Sequence, residues 1–172
     1  MFDSIAGDYD ALNHILSLDV DKIWRKKALK QIVDAPAPVQ VLDLACGTGD
    51  FSIAIAKALS SATGSHVTGV DLSEGMLAVM REKVAKADLT EMISIEEGDG
   101  ENLRFPDNTF DRVTIAFGIR NFENREKGLR EMLRVLKPGG RLVILELSRP
   151  ENKVIRWFYD LYFLHILPKI GG

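Results

Sequence analysis

From Asp19 to Val33 apolar side chains recur at helical spacing, with Val20, Ile23, Trp24, Ala28, Leu29 and Ile32 in step until Pro36 and Pro38 stop the pattern. This predicts an amphipathic helix leading into a strand. Val39 to Ala45 is a short apolar run closed by Cys46-Gly47-Thr48-Gly49, after which Phe51, Ala54, Ile55, Ala58 and Leu59 resume the helical period. Strand, glycine turn and helix are the simplest reading. The unit then repeats. His66 to Val70 predicts a second strand ending at Asp71, and Ser73 is placed to cap a helix carrying Met76, Leu77, Met80 and Val84. Met92 to Glu96 is a third, weaker strand, followed by Gly98-Asp99-Gly100 and the turn Pro106-Asp107-Asn108. Val113, Ile115 and Phe117 alternate as a fourth strand. Leu129, Met132, Leu133 and Leu136 then share one face of a helix that Pro138-Gly139-Gly140 ends. Arg141 to Leu147 is an apolar fifth strand, and Val154 to Leu167 reads as a last helix with aromatics on most sides.

Strands that alternate with helices and are apolar on both faces predict an α/β fold, a mainly parallel sheet covered by helices on both sides, with right-handed crossovers. No tandem repeat or flexible linker interrupts the pattern. At 172 residues and 46% hydrophobic content, one domain with one sizeable core is expected over residues 1–172. Within it, residues 1–36 form an N-terminal helical segment over the substrate side, 37–150 the ligand-binding core, and 151–172 an apolar helix.

Charge and composition narrow the function. The net charge of −3 offers no electrostatic footprint for nucleic acid, so no nucleic-acid partner is expected. Cys46 is the only cysteine, so no internal disulfide can form, and the early acid Asp3 does not fit a secretory leader. Cytoplasmic residence is the expectation. The stretch from Trp157 to Ile170 is broken by Asp160 and His165 and is too short to span a bilayer. His14, His66 and His165 are scattered without metal-ligand spacing, so neither a metal nor a cysteine nucleophile is expected.

In open α/β sheets ligands bind beyond the carboxyl ends of the strands, where strand order reverses. The first strand end offers Asp43 and the Gly47-Thr48-Gly49 turn, the second Asp71, the third Asp99, the fourth Phe117 to Asn121: three carboxylates and no lysine. Glycines at 47 and 49 let backbone approach a ligand, and Asp71 can accept hydrogen bonds from ribose hydroxyls. Any nucleoside cofactor fits that far. A dinucleotide fingerprint, however, wants Gly or Ala at position 52, where this chain has Ser52, and Asp50 at the start of the following helix would repel a pyrophosphate. A ligand without phosphate and with positive charge, such as S-adenosylmethionine, turns Asp43 and Asp50 into assets.

Four segments carry a more particular likeness: Val41 to Asp50, Gly69-Val70-Asp71-Leu72-Ser73, Phe117-Gly118-Ile119-Arg120-Asn121 and Leu136-Lys137-Pro138-Gly139-Gly140. Together with Phe2 to Asp10, Leu12-Asn13 and Trp24-Arg25, they resemble the ubiquinone/menaquinone biosynthesis C-methyltransferases, the demethylmenaquinone methyltransferase family, over essentially the whole chain. The resemblance implies the Rossmann-like fold of class I S-adenosylmethionine-dependent methyltransferases. It also implies methyl transfer to a ring carbon of a prenylated quinol such as demethylmenaquinol or a ubiquinone precursor. By that resemblance Gly47, Thr48 and Gly49 contact the methionine part of the cofactor, Asp71 the ribose, and Asp99 with Gly100 the adenine. Arg120, Asn121 and Tyr9 serve the substrate. Where the family often has Ser before Phe-Gly, this chain has Ala116.

Arg120 is the natural cation for a developing phenolate, though not the base, because guanidinium stays protonated. Class I folds usually add two further strands after the fifth, so the expectation is a chain short of them, with an exposed edge inviting self-association. The aromatics from Trp157 to Ile166 either wall a prenyl tail at the inner membrane face or pack against further segments. Two alternatives stay open: a methyltransferase for another small molecule or lipid, and a non-catalytic nucleoside-binding subunit of a quinone-synthesis complex.

Overall fold

The structure, a computed structural model of the chain, describes residues 20–34 and 38–146. The N-terminal block from Phe2 to Asp10 with Tyr9, Pro36, and the helix expected over Val154 to Leu167 lie outside the described residues. In chain order come α1 (Val20–Val33), β1 (Gln40–Leu44), α2 (Asp50–Leu59), β2 (His66–Asp71), α3 (Glu74–Lys86), β3 (Ile93–Glu97), β4 (Phe110–Ala116), a 3-10 turn (Ile119–Asn121), α4 (Arg125–Val135) and β5 (Leu136–Leu145).

All four strand pairings are parallel, and the sheet order is β3-β2-β1-β4-β5. The chain steps outward from β1 through β2 to β3, then returns to the other side of β1 as β4. Strand order therefore reverses at β1, so the carboxyl ends of β1 and β4 lie where an open α/β sheet of this order takes a ligand. Register is fixed there by Asp43 facing Gly69 of β2 and Leu44 facing Ile115 of β4.

Alternation along each strand splits the core in two. Val41, Val67 and Val143 face one side, where Ile32 of α1, Ile55 of α2 and Leu77, Met80 and Val84 of α3 cover them. Leu42, Leu44, Val113 and Ile115 face the other, against Met132 and Val135 of α4 and Leu103 and Phe110. The three inner strands are buried on both faces and the outer strands β3 and β5 less so, as expected for a parallel sheet with helices on both sides.

The helix starts follow the capping chemistry. Ser73 Oγ accepts a hydrogen bond from the Met76 amide, and Asn124 Oδ1 accepts one from Lys127. Three expectations are corrected. Phe117 does not continue the fourth strand: at φ 60° it turns out of the ladder after Ala116, and its ring lies 5.7 Å from the Arg25 guanidinium carbon. α4 stops at Val135, before Pro138-Gly139-Gly140, which already belongs to β5 beside an irregularity between Phe110 and Arg112. Leu133 is 59% exposed, because the inward stripe runs through Gly128, Met132 and Val135 instead.

Ile55 is fully buried where α2 meets the sheet, so Ile55→Ala should cost about 3 kcal/mol by leaving a cavity, read as a lower urea midpoint with an unchanged slope.

Candidate functional site

β1 ends at Leu44, and the chain immediately enters left-handed conformations at Ala45 (φ 51°), Gly47 (φ 55°) and Gly49 (φ 84°). Glycine takes such angles without strain, Ala45 adopts one against the steric cost of its Cβ, and at Gly49 a side chain would also collide with Met80 of α3. Gly47 differs: among the described residues a Cβ there would meet nothing within 4 Å, so they leave the turn open above it.

The turn is lashed to the end of β2. The Gly47 amide donates to Asp71 Oδ2 at 2.8 Å, and the Ser73 amide donates to Asp71 Oδ1 at 2.9 Å. A carboxylate offers about four lone-pair sites, and these bonds use two of them. The loop after β3 joins the same edge, since the Gly98 amide donates to the Asp71 carbonyl at 3.0 Å. Asp99 there is exposed, its Oδ1 accepting from the Glu101 amide at 2.8 Å. Gly100 is buried against the Phe122 ring, so closely that a Cβ would stand 2.6 Å from it.

Beneath the turn lies Asp43, 1% exposed, accepting a hydrogen bond from Ser52 Oγ at 2.5 Å. Burial pushes its carboxyl up to about 7, assisted by the Asp71 charge and opposed by Ser52 and the Arg25 guanidinium. Ser52 thus occupies the fingerprint position with a hydroxyl that has a definite partner. Burial, with Asp43 and Asp71 acting in the same direction, also raises the Cys46 thiol well above its ordinary value, so it stays protonated.

Arg120 and Asn121 stand on the far side of β1, both exposed, in the 3-10 turn after β4. Gly118 presses so closely on Ala45 that a Cβ would clash with it, which draws this segment against the glycine turn. Arg120 Nη1 pairs with Glu146 Oε1 at 2.9 Å.

The structure therefore brings Asp43, Gly47, Thr48, Gly49 and Asp71 around one turn, with Asp99 and Gly100 on one flank and Arg120 and Asn121 on the other. Tyr9 lies outside the described residues. One expectation is overturned: a lysine does reach this cleft. Lys83 of α3 bonds Thr48 Oγ1 at 3.1 Å and Asp50 Oδ1 at 2.8 Å. The strand ends supply no lysine, but position 83 follows Met80 by three residues on the inward side of α3, a spacing the helical pattern contains. Arg25 and Glu146 were likewise not singled out as partners of Asp43 and Arg120.

A parallel sheet reversing at its first strand, a glycine turn there and an acid ending the second strand define the class I methyltransferase architecture. An Aquifex aeolicus SAM dependent methyltransferase of known structure superposes with a TM-score of 0.64 at 26% identity, covering 86% of this chain and 78% of its own. The ubiE/COQ5 methyltransferase family matches residues 1–172, and the chain belongs to it. It is 50% identical over its whole length to the ubiquinone/menaquinone biosynthesis C-methyltransferase UbiE of Geobacter sulfurreducens, and 48% identical over 171 residues to the demethylmenaquinone methyltransferase of Bacteroides fragilis. It spans about two thirds of the length of these curated relatives, 66% and 68%.

Because the folded Asp43 carboxyl titrates near 7 and an unfolded one near 3.8, the native chain holds the extra proton between those values. Stability contributed by that proton is complete below the lower value and lost as pH rises to about 7, by up to about 4 kcal/mol. Asp43→Asn should flatten this decline in urea unfolding between pH 5 and pH 8.

Proposed function

We propose that the chain transfers the methyl group of S-adenosylmethionine to a ring carbon of a prenylated quinol, demethylmenaquinol or a ubiquinone precursor. The bond from the Gly47 amide to Asp71 carries this reading, because it sets a carboxylate with unused lone pairs beside an open glycine turn. The donor set fits the cofactor. Each oxygen of Asp71 keeps a lone pair able to accept a ribose hydroxyl. The names borne by the Geobacter and Bacteroides relatives support carbon methylation and the quinone-type acceptor.

The bound cofactor supplies an electrophilic methyl group on a positively charged sulfur. Gly47, Thr48 and Gly49 receive its amino-acid end, Asp71 holds the ribose, and Asp99 with Gly100 borders the adenine. Asp43 sits under the turn as a carboxyl near neutrality, which a neighbouring cation shifts toward its ionised form. On the substrate side, carbon attack needs an electron-rich ring, which develops as a quinol hydroxyl gives up its proton to water, and the ring carbon that gains the methyl group then loses its own proton to water. Arg120 steadies the resulting oxyanion, oriented by Glu146, while Asn121 and Tyr9 complete the hydrogen bonds to that oxygen. A prenylated acceptor resides in a membrane, so we place the reaction at the cytoplasmic membrane face. No helix among the described residues is long and apolar enough to cross it.

Titration calorimetry should show binding of S-adenosylmethionine and none of NAD, and Asp71→Ala should weaken the former by about 100-fold through loss of charge-assisted hydrogen bonds. Unchanged affinity in that variant overturns the ribose assignment. With labelled cofactor and demethylmenaquinol, Arg120→Gln should lower kcat by about 100-fold while leaving cofactor affinity within twofold. Label passing only to other acceptors, or to none, overturns the quinol reading.

A further inference from the structure

The glycine turn is held at three points, and only one of them involves a strand. Its first glycine is tied to Asp71 and its second backs onto Met80, but Thr48 between them and Asp50 after them are held by the ammonium of Lys83, 35 and 33 residues further along the chain. Thr48 is 4% exposed, and the Lys83 and Asp50 side chains are 29% and 35% exposed. This pair is thus more shielded than the helix-surface pairs Lys86 with Glu82 and Arg130 with Glu126, where exposure averages out most of the attraction.

An ammonium only donates, so Thr48 Oγ1 must accept from Lys83, which restrains the orientation of the threonine side chain. Lys83 also sets a positive charge 2.8 Å from Asp50 at the head of α2, so the start of the helix presents opposite charges side by side. An amino-acid moiety carries both an ammonium and a carboxylate, and Asp50 with Lys83 offers the turn a charge opposite to each.

We propose that Lys83 is a positioning residue: it holds Thr48 and Asp50 so that the turn accepts the zwitterionic amino-acid end of the cofactor, while leaving the nucleoside end untouched. The inference rests on the cofactor reading given under the proposed function. It separates the two ends of one ligand, because Asp71 grips the turn from the β2 side and Lys83 from the body of α3.

S-adenosylhomocysteine and 5′-deoxy-5′-methylthioadenosine share the nucleoside and the thioether, and only the first has the amino acid. Calorimetric titration of the full chain with both should show Lys83→Met weakening S-adenosylhomocysteine by tenfold or more while methylthioadenosine stays within twofold. Lys83→Arg should return S-adenosylhomocysteine to within threefold of the unaltered chain. Asp50→Asn probes the same contact from its other end and should also weaken S-adenosylhomocysteine selectively, which keeps the test open if Lys83→Met fails to fold. Equal weakening of both ligands would make Lys83 a purely structural residue and overturn the proposal, as would no weakening of either. Failure of the unaltered chain to bind S-adenosylhomocysteine would instead overturn the cofactor reading itself.

Discussion

The hydrogen bond from the Gly47 amide to the Asp71 carboxylate joins the ends of two adjacent parallel strands, and the geometry of the site depends on it. β1 leaves the sheet through left-handed residues that have no ladder of their own, so something outside the turn must settle its path. Asp71 does so with one oxygen and spends the other on the Ser73 amide, which carries the constraint into the start of α3. From α3, Met80 then limits the turn at Gly49 and Lys83 limits it at Thr48. Glycine turn, acid and helix form a closed loop of contacts, and moving any one member moves the other two.

Most of the fold was legible because it follows from the spacing of apolar side chains. The parallel α/β arrangement, the order of the five strands and the cap at Ser73 rest on local signals, and the structure agrees with them, although β5 starts at Leu136 rather than Arg141. The misplacements fall where a local pattern competes with tertiary geometry. Phe117 fits the alternation of β4, yet the chain must turn there to bring Gly118 against Ala45. Leu133 fits a helical stripe, but the face of α4 that meets the sheet is set by Met132 and Val135. Pro138-Gly139-Gly140 looks like a helix stop, and α4 has already ended at Val135.

The site was legible to a similar degree and for a similar reason. Residues that end strands could be placed from sequence, since a parallel sheet delivers all its carboxyl ends to one edge: hence Asp43, Asp71, Asp99 and Arg120. Their partners could not, because they come from other elements at separations that no period encodes. Lys83 lies 33 residues beyond Asp50, and Glu146 lies 26 beyond Arg120. Nor does a sequence tell that Asp43 is wholly enclosed and held near neutrality, a property of depth rather than of residue type.

Ser52 makes the ligand preference of this turn costly to change. Its hydroxyl is bonded to the wholly enclosed Asp43, at the position where a dinucleotide-binding turn takes Gly or Ala. Exchanging it for either would strip a buried acid of its hydroxyl donor while adding no new contact for a phosphate.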